Sequence, residues 1–219
     1  MQLDTGQWIV IGICAILIAG YIGGYFINRR MARLILAWLQ PGLENWGHVT
    51  PGEPLGGLAT GGSLNVFNGR EPFQRIEALF VLEPRDNLVF WFFDRLRGRR
   101  DELILRISLR LAPGKDVLVE AGRHSDRNYR QAISKDRENL YSTVTSGSLE
   151  VSYPSRKAAS NERTQLFFEK YGTAVTRLTI QRHYPHIFMR VRMKTLLTQP
   201  AQEFFSALSE LCDHRSPVQ

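Results

Sequence analysis

Residues 7–38 read "QWIVIGICAILIAGYIGGYFINRRMARLILAW", and the twenty residues from Trp8 to Ile27 carry no charge. Twenty residues of α-helix rise about 1.5 Å each and therefore cover about 30 Å, the thickness of a bilayer's hydrocarbon core. Trp8 near one end and Tyr25 near the other suit the two interfaces between membrane and water. The stretch predicts a single transmembrane helix over 8–27.

The charges that flank this run decide between an anchor and a cleaved signal peptide, and also set the orientation. A signal peptide has basic residues before its apolar run, whereas here Asp4 precedes the run and basic residues follow it. Positive residues beside a span stay on the cytoplasmic side. We therefore expect a retained anchor, with residues 1–7 outside the cell or in a lumen and the rest in the cytosol, at a prokaryotic plasma membrane or the endoplasmic reticulum. The basic residues expected at the membrane surface are Arg29, Arg30 and Arg33.

Small residues recur along the predicted span. Ala15, Ala19 and Gly23 are spaced four residues apart, and Gly20 pairs with Gly24 at the same spacing. Such spacing lets a second helix approach closely, so these residues predict a face for a partner helix within the membrane. The alternative is that glycine and alanine are simply common in membrane spans.

The stretch after the span predicts a juxtamembrane helix within residues 28–48. Apolar residues keep helical spacing there, and Pro41 with Gly42 is expected to stop the helix. This helix either lies along the membrane surface or continues the span into the cytosol. Residues 49–63 include "PGEPLGGLATGG", a composition typical of a flexible linker.

Charge and cysteine content indicate which cellular compartment and which kinds of partner fit this chain. All 28 basic residues and 20 of the 21 acidic ones follow residue 27, which gives that part of the chain a net charge of +8. Such an excess indicates anionic partners, lipid headgroups or nucleic acid, although the topology rule alone also favours it. Cys14 in the span and Cys212 near the end cannot plausibly form a disulfide, which fits a reducing compartment.

Residues 64–214 predict a cytosolic α+β domain with possible sub-lobes at 64–146 and 147–214. The clearest strand is "DELILRISLRLA". One face is expected in the core and the other, which bears residues such as Arg106, in solvent. The expected core residues are Leu103, Leu105, Ile107, Leu109 and Leu111. Together with its neighbours it gives the order β-α-β-β-α-β, as in ferredoxin-like folds. The predicted strands are 64–68, 74–82, 101–112, 117–121, 140–145, 174–181 and 187–193, and the helices are 84–97, 125–136, 160–171 and 198–212.

Motifs for catalysis do not stand out. The sequence has no phosphate-binding glycine loop, no nucleophile elbow and no metalloprotease helix. His183, His186, Cys212 and His214 match no standard zinc spacing, so turn and surface histidines explain them better. We expect a non-enzymatic protein with no cofactor, no metal and no small-molecule substrate.

The stretch "NLVFWFFDRLRGRR", residues 87–100, covers most of the helix predicted over 84–97 and places aromatic residues beside arginines. Leu88, Val89, Phe92, Phe93 and Leu96 fall on one stripe, which is expected to be the core face. Phe90 and Trp91 fall more than about 120° from the centre of that stripe. They are either a contact surface for protein or RNA, or a face on which a second lobe packs.

Arginines at alternate strand positions predict a second surface. Such residues could bind the phosphates along a nucleic-acid backbone, because arginine binds a phosphate bidentately. Alternatively, they could form a solvated sheet face on which arginines pair with carboxylates. The set is Arg106 and Arg110 on one strand, Arg190 and Arg192 on another, and Arg95, Arg97, Arg99, Arg100, Arg123, Arg127 and Arg130 on nearby elements.

Three stretches resemble the calumin family, also called coiled-coil domain-containing protein 47. They are "GYFINRRMARLILAWLQPGLENWGHV", "RIEALFVLEPRDNLVFWFFDRLRGRRDELILRISLRL", and "LTIQRHYPHIFMRVRM" with "PAQEFFSALSEL". The matches are mainly patterns, with a few identities centred on Arg85, Asp86 and Leu88.

The resemblance implies a role in making membrane proteins. Members of that family anchor in the endoplasmic reticulum with their globular domain in the cytosol, and join a small intramembrane chaperone subunit. That complex binds the ribosome and the Sec translocon during insertion of multipass proteins. The family's acidic lumenal segment and its charged C-terminal coiled coil have no counterpart in these 219 residues, so we expect a ribosome contact that is weaker or made differently. A short prokaryotic relative is one form such a chain could take.

Overall fold

The fold is given by a computed structural model. Several predicted features lie outside the residues that it describes, among them the helix at 125–136 and the residues Arg123, Arg127, Arg130 and His214. The structure describes residues 4–53, 56, 57, 59–113, 117–121, 142–146, 149–153 and 162–212.

The strands form one antiparallel sheet in the order β1-β2-β3-β4-β9-β8-β5-β7-β6. Every pairing between neighbours is antiparallel. This sheet runs through both predicted sub-lobes. The strands are β1 Val49–Pro51, β2 Gly61–Phe67, β3 Phe73–Val81, β4 Glu102–Leu109, β5 Val117–Ala121, β6 Ser142–Ser146, β7 Leu149–Tyr153, β8 Val175–Ile180 and β9 Ile187–Arg192.

Helices complete an α+β fold, as predicted. A hydrophobic core joins the sheet to α3, α5 and the C-terminal part of α1, and Trp38 of α1 packs against the rings of Phe204 and Phe205. The other face of the sheet carries charged residues such as Glu77 and Arg106. The helices are α1 Thr5–Glu44, α2 Leu88–Leu96, α3 Glu162–Tyr171, α4 Met193–Leu196 and α5 Ala201–Cys212.

Helix α1 is one unbroken helix of 40 residues, capped at its start by Asp4. The predicted stop at Pro41 is wrong, because the helix continues to Glu44. Gly42 lies so close to α5 that a Cβ placed there would be 2.7 Å from the Cβ of Ala201, and Leu43 is buried. This packing outweighs the local cost of proline in a helix.

The two halves of α1 have different surroundings. Its N-terminal half is long and apolar enough to cross a membrane, and only 6% of the most apolar window is buried. Its C-terminal half packs into the domain through a stripe that includes Ala32, Ile35 and Leu39. Of the two alternatives for the juxtamembrane segment, the structure has the one in which it continues the apolar helix.

The stretch predicted as a linker contains strand residues at both ends. β1 and the start of β2 fall within 49–63, so the prediction was wrong for these residues. Gly61 and Gly62 are needed there, because a Cβ on Gly61 would be 2.3 Å from the carbonyl oxygen of Phe80 and one on Gly62 2.9 Å from its ring. Glycine allows close strand pairing here, whereas composition alone indicates flexibility.

The ferredoxin-like order is not what the described strands form. In a split β-α-β unit the two strands joined by a helix are parallel and separated by another strand. Here β3 and β4, joined by α2, are direct antiparallel neighbours. The chain pattern gave most of the elements but not their partners, and β1, β7 and α4 were not predicted. Leu111, expected in the core, is exposed because β4 ends at Leu109.

Candidate functional site

The apolar half of α1 joins the domain at a buried asparagine. Asn28 is fully buried, and its Nδ2 donates to the carbonyl oxygens of Ala59 and Glu83, each at 2.8 Å. Its Oδ1 accepts a hydrogen bond of 2.8 Å from Arg85. The amide therefore ties α1 to two loops of the domain, and all its contacts are made just where the predicted span ends.

A buried ion pair extends this network. Arg85 donates two hydrogen bonds to Asp101, of 2.9 and 2.7 Å, in the bidentate geometry that arginine favours. Asp101 also accepts the backbone N–H of Glu83. Burial would lower the pKa of Arg85, but the hydrogen bond to Asp101 and the charges of Asp101 and Glu83 outweigh it and raise that pKa. The guanidinium therefore stays charged within the fold.

Trp91 connects α2 to the same network. Its Nε1 donates to a carboxylate oxygen of Glu83 at 2.8 Å, and the guanidinium of Arg95 lies 5.6 Å from its ring centroid. We call Asn28, Glu83, Arg85, Trp91 and Asp101 together the anchor junction. The sequence leaves two alternatives for Phe90 and Trp91, a contact surface or a packed face. Trp91 is half-buried and faces the domain, as the packed alternative describes, whereas Phe90 is 64% exposed.

The predicted core face of α2 is exposed. None of the nine residues of α2 is buried, and Val89, Phe92, Phe93 and Leu96 are each more than half exposed. The prediction assumed that the apolar stripe meets the core. The domain instead holds the opposite side of the helix through Trp91, whose indole N–H has a buried acceptor in Glu83.

Two glycines of the predicted partner face are used within the chain. A Cβ on Gly24 would be 1.9 Å from the carbonyl oxygen of Arg85, and one on Gly20 would be 2.3 Å from a methyl carbon of Leu88. The loop before α2 and the first residue of α2 therefore rest against α1. This corrects the prediction that Gly20 and Gly24 contact a separate helix.

The remaining small residues of the predicted partner face are open. A Cβ on Gly23 would meet nothing within 4 Å, and Ala15 and Ala19 are exposed. The centre of these three residues lies about 120° around the helix from that of Gly20 and Gly24. Only this part of the predicted face is left for another molecule.

The predicted arginines divide into two groups. The first group is exposed and lies on α1 just after the apolar run and on α2 with the segment that follows it: Arg29, Arg30, Arg33, Arg95, Arg97, Arg99 and Arg100. On the outer face of the sheet, Arg106, Arg190 and Arg192 share one side of the paired strands β4 and β9. Arg110 lies beyond the end of β4 and donates to the carbonyl oxygen of Gly69.

Carboxylates share the outer face of the sheet with these arginines. Arg190 pairs with Glu102, Arg75 pairs with Glu77, and Glu77 lies opposite Arg106 in the register of β3 and β4. The face is therefore mixed in charge, as expected for a solvated face on which arginines pair with carboxylates.

His186 and Cys212 have structural roles. His186 accepts the backbone N–H of Leu109 through Nδ1 at 2.9 Å. Cys212 is buried in α5, and burial raises the pKa of its thiol. Within the described ranges, no group of three or more histidine, cysteine or acidic residues is placed to hold a metal ion.

Cys212 should therefore resist alkylation in the folded protein. Each unit by which its pKa rises lowers the thiolate fraction at a given pH about tenfold, and the thiolate is the reactive form. In a Cys14→Ser background at pH 8, iodoacetamide should modify Cys212 slowly, and rapidly once urea unfolds the chain. Mass spectrometry of the C-terminal peptide measures both rates. Equal rates would show that the thiol is accessible in the native fold.

Sequence reasoning missed three residues of the anchor junction. Asn28 was recognised only as a boundary, while Glu83 and Asp101 were not singled out. One signal was available for Asn28: it is a polar residue at the spacing of the buried stripe of α1, between Gly24 and Ala32. A polar residue in such a stripe needs buried partners, but their identity depends on tertiary structure.

Comparison with known proteins adds no family to this description, since no protein-family model matches the chain and no curated protein matches it.

Proposed function

We propose that this chain is a single-pass, membrane-anchored, non-enzymatic adaptor in membrane-protein biogenesis. The N-terminal half of α1 crosses the membrane with its first residues outside or in a lumen, and the basic domain lies in the cytosol. The domain contacts the ribosome or the Sec translocon, and the span docks a small intramembrane chaperone. The resemblance to the calumin family supplies the identity of these partners.

The observation that carries the proposal is the continuity of α1. One helix has an apolar half with almost no protein around it and a second half that belongs to the core of the domain. The anchor junction fixes the domain to the helix at Asn28. A domain held so firmly to its span is suited to position a partner beside the membrane.

The orientation is tested by protease protection. Because all lysines and arginines follow the apolar run, the domain should lie inside the cell. Trypsin added to intact cells or spheroplasts should leave the domain uncut, and detergent should make it sensitive. A cytosolic protein serves as the control for membrane integrity. Digestion before detergent is added would place the domain outside and would rule out ribosome contact.

Ribosome contact is supported by the exposed arginines on the outer face of the sheet. Full-length protein in lipid nanodiscs should co-sediment with ribosomes, and the retained fraction should fall steeply with salt, as phosphate contacts do. Replacing Arg106 and Arg192 together by glutamine should lower the retained fraction. The matched control replaces Arg29 and Arg30, which lie beside the membrane. Retention that is absent, or insensitive to salt, would exclude this contact.

A second candidate is a structural subunit of another membrane complex that does not contact the ribosome. The mixed charge of the outer sheet face favours it, because Glu102 and Glu77 partly neutralise the arginines that phosphates would need. In that case native purification in mild detergent should recover a membrane protein partner without ribosomal RNA.

A further inference from the structure

Helix α2 has an apolar surface that the described part of the protein leaves open. Leu96 is 69% exposed, and Val89, Phe92 and Phe93 on the same stripe are each more than half exposed. Phe90, 64% exposed, lies about 60° around the helix from Phe93 and widens this surface on one side. The side of α2 held by the domain is the one that bears Trp91. Large apolar residues concentrated on one short helix indicate a binding surface for an apolar partner.

The position of α2 along α1 indicates which partner. Leu88, the first residue of α2, rests on Gly20, and the preceding loop rests on Gly24. Gly20 precedes Ile27, the last residue of the apolar run, by seven residues, or about 10 Å along a helix. The start of α2 therefore lies within the depth of the bilayer that the apolar half of α1 crosses.

The positive charge that follows the C-terminal end of α2 also fits a position at the membrane. Arg97, Arg99 and Arg100 follow the helix and are exposed. Helices that lie in a membrane interface bury their apolar face about 5–10 Å and carry basic residues at the level of the headgroups. Arginine matches lipid phosphates in geometry as well as charge.

We propose that α2 is a second membrane anchor, whose exposed apolar residues lie among the acyl chains of the leaflet on the domain side and whose following arginines bind lipid phosphates. This inference rests on the proposed crossing of the membrane by α1. It gives the domain a second point of attachment to the bilayer. The domain would then present the same side to the membrane at all times.

Site-directed spin labelling of the full chain in lipid nanodiscs tests this. The background carries Cys14→Ala and Cys212→Ala, and one nitroxide is attached at Phe90→Cys. Ile16→Cys reports the span and Arg106→Cys reports the outer sheet face, because both side chains are exposed. Collision rates are measured with oxygen, which concentrates in lipid, and with a water-soluble nickel chelate.

The label at Phe90 is expected to favour oxygen over nickel, as the label at Ile16 does, while the label at Arg106 favours nickel. If the label at Phe90 resembles the label at Arg106 while the label at Ile16 remains in lipid, α1 crosses the membrane but α2 is not embedded, which overturns the inference. If Ile16 also meets nickel, the crossing by α1 fails. A label at Phe90 that neither reagent reaches would mean that protein covers α2, which also overturns the inference. Leu96→Cys is the second variant, used where Phe90→Cys does not fold.

Discussion

Replacing Asp101 by alanine should lower the free energy of unfolding of the domain by about 3–5 kcal/mol, the usual cost of removing one partner of a buried ion pair. The side chains of Arg85 and Asp101 are only 18% and 8% exposed, so the guanidinium left behind has little access to water. The backbone N–H of Glu83 would lose its acceptor as well. For a chain of this size the thermal midpoint should fall by about 2–4 °C per kcal/mol.

The measurement is thermal unfolding of the full chain in detergent micelles, followed by near-ultraviolet circular dichroism. Glu102→Gln is the matched control, because it breaks the more exposed pair with Arg190, where exposed ion pairs contribute about 0–1 kcal/mol. Similar midpoints for the two variants would show that the anchor junction does not stabilise the domain. A large loss for Glu102→Gln alone would point to the same conclusion.

Replacing Gly24 by leucine should separate the loop before α2 from α1. A Cβ at this position would be 1.9 Å from the carbonyl oxygen of Arg85, and the obstructing atom is backbone, which cannot rotate away as a side chain can. Overpacking of this kind typically costs about 1–3 kcal/mol, and the hydrogen bond from Arg85 to Asn28 would be strained in addition. The thermal midpoint of the domain should fall accordingly.

Gly23→Leu is the control for that experiment, since a Cβ there would meet nothing within 4 Å. It should leave the thermal midpoint unchanged while reducing recovery of the proposed intramembrane partner in mild detergent, because Gly23 lies with Ala15 and Ala19 on the open face. The reverse pattern, with Gly23→Leu unstable and Gly24→Leu unchanged, would contradict the assignment of the two faces. Normal partner recovery with Gly23→Leu would exclude this face as the docking surface.

Local pattern predicted the elements of this fold better than it predicted their contacts. The alternation of Leu103, Leu105 and Ile107 identified β4 and its buried face, and all three residues are in the core. Strand pairing could not be predicted, because whether β3 meets β4 directly depends on residues far apart in sequence. For the same reason composition indicated a linker where Gly61 and Gly62 pair with β3.

The candidate site was predicted only in part, and α2 shows the physical reason. Helical periodicity finds an apolar stripe but does not distinguish a stripe that faces a protein core from one that faces lipid. Helical geometry placed Trp91 opposite the stripe without deciding whether that side is exposed or packed, and its indole N–H has a buried acceptor in Glu83. The small-residue pattern was likewise correct as a signal of close packing, but for Gly20 and Gly24 the contact is within the chain.

The unbroken course of α1 has a mechanical consequence. Its 40 residues form a rod about 60 Å long, with no hinge between its apolar half and the half that packs in the domain. Membrane spans adjust to bilayers of different thickness by tilting. With α1 crossing the membrane as proposed, a change in local lipid thickness would tilt the whole domain, so that the lipids around the span would set the height at which the domain meets a large partner.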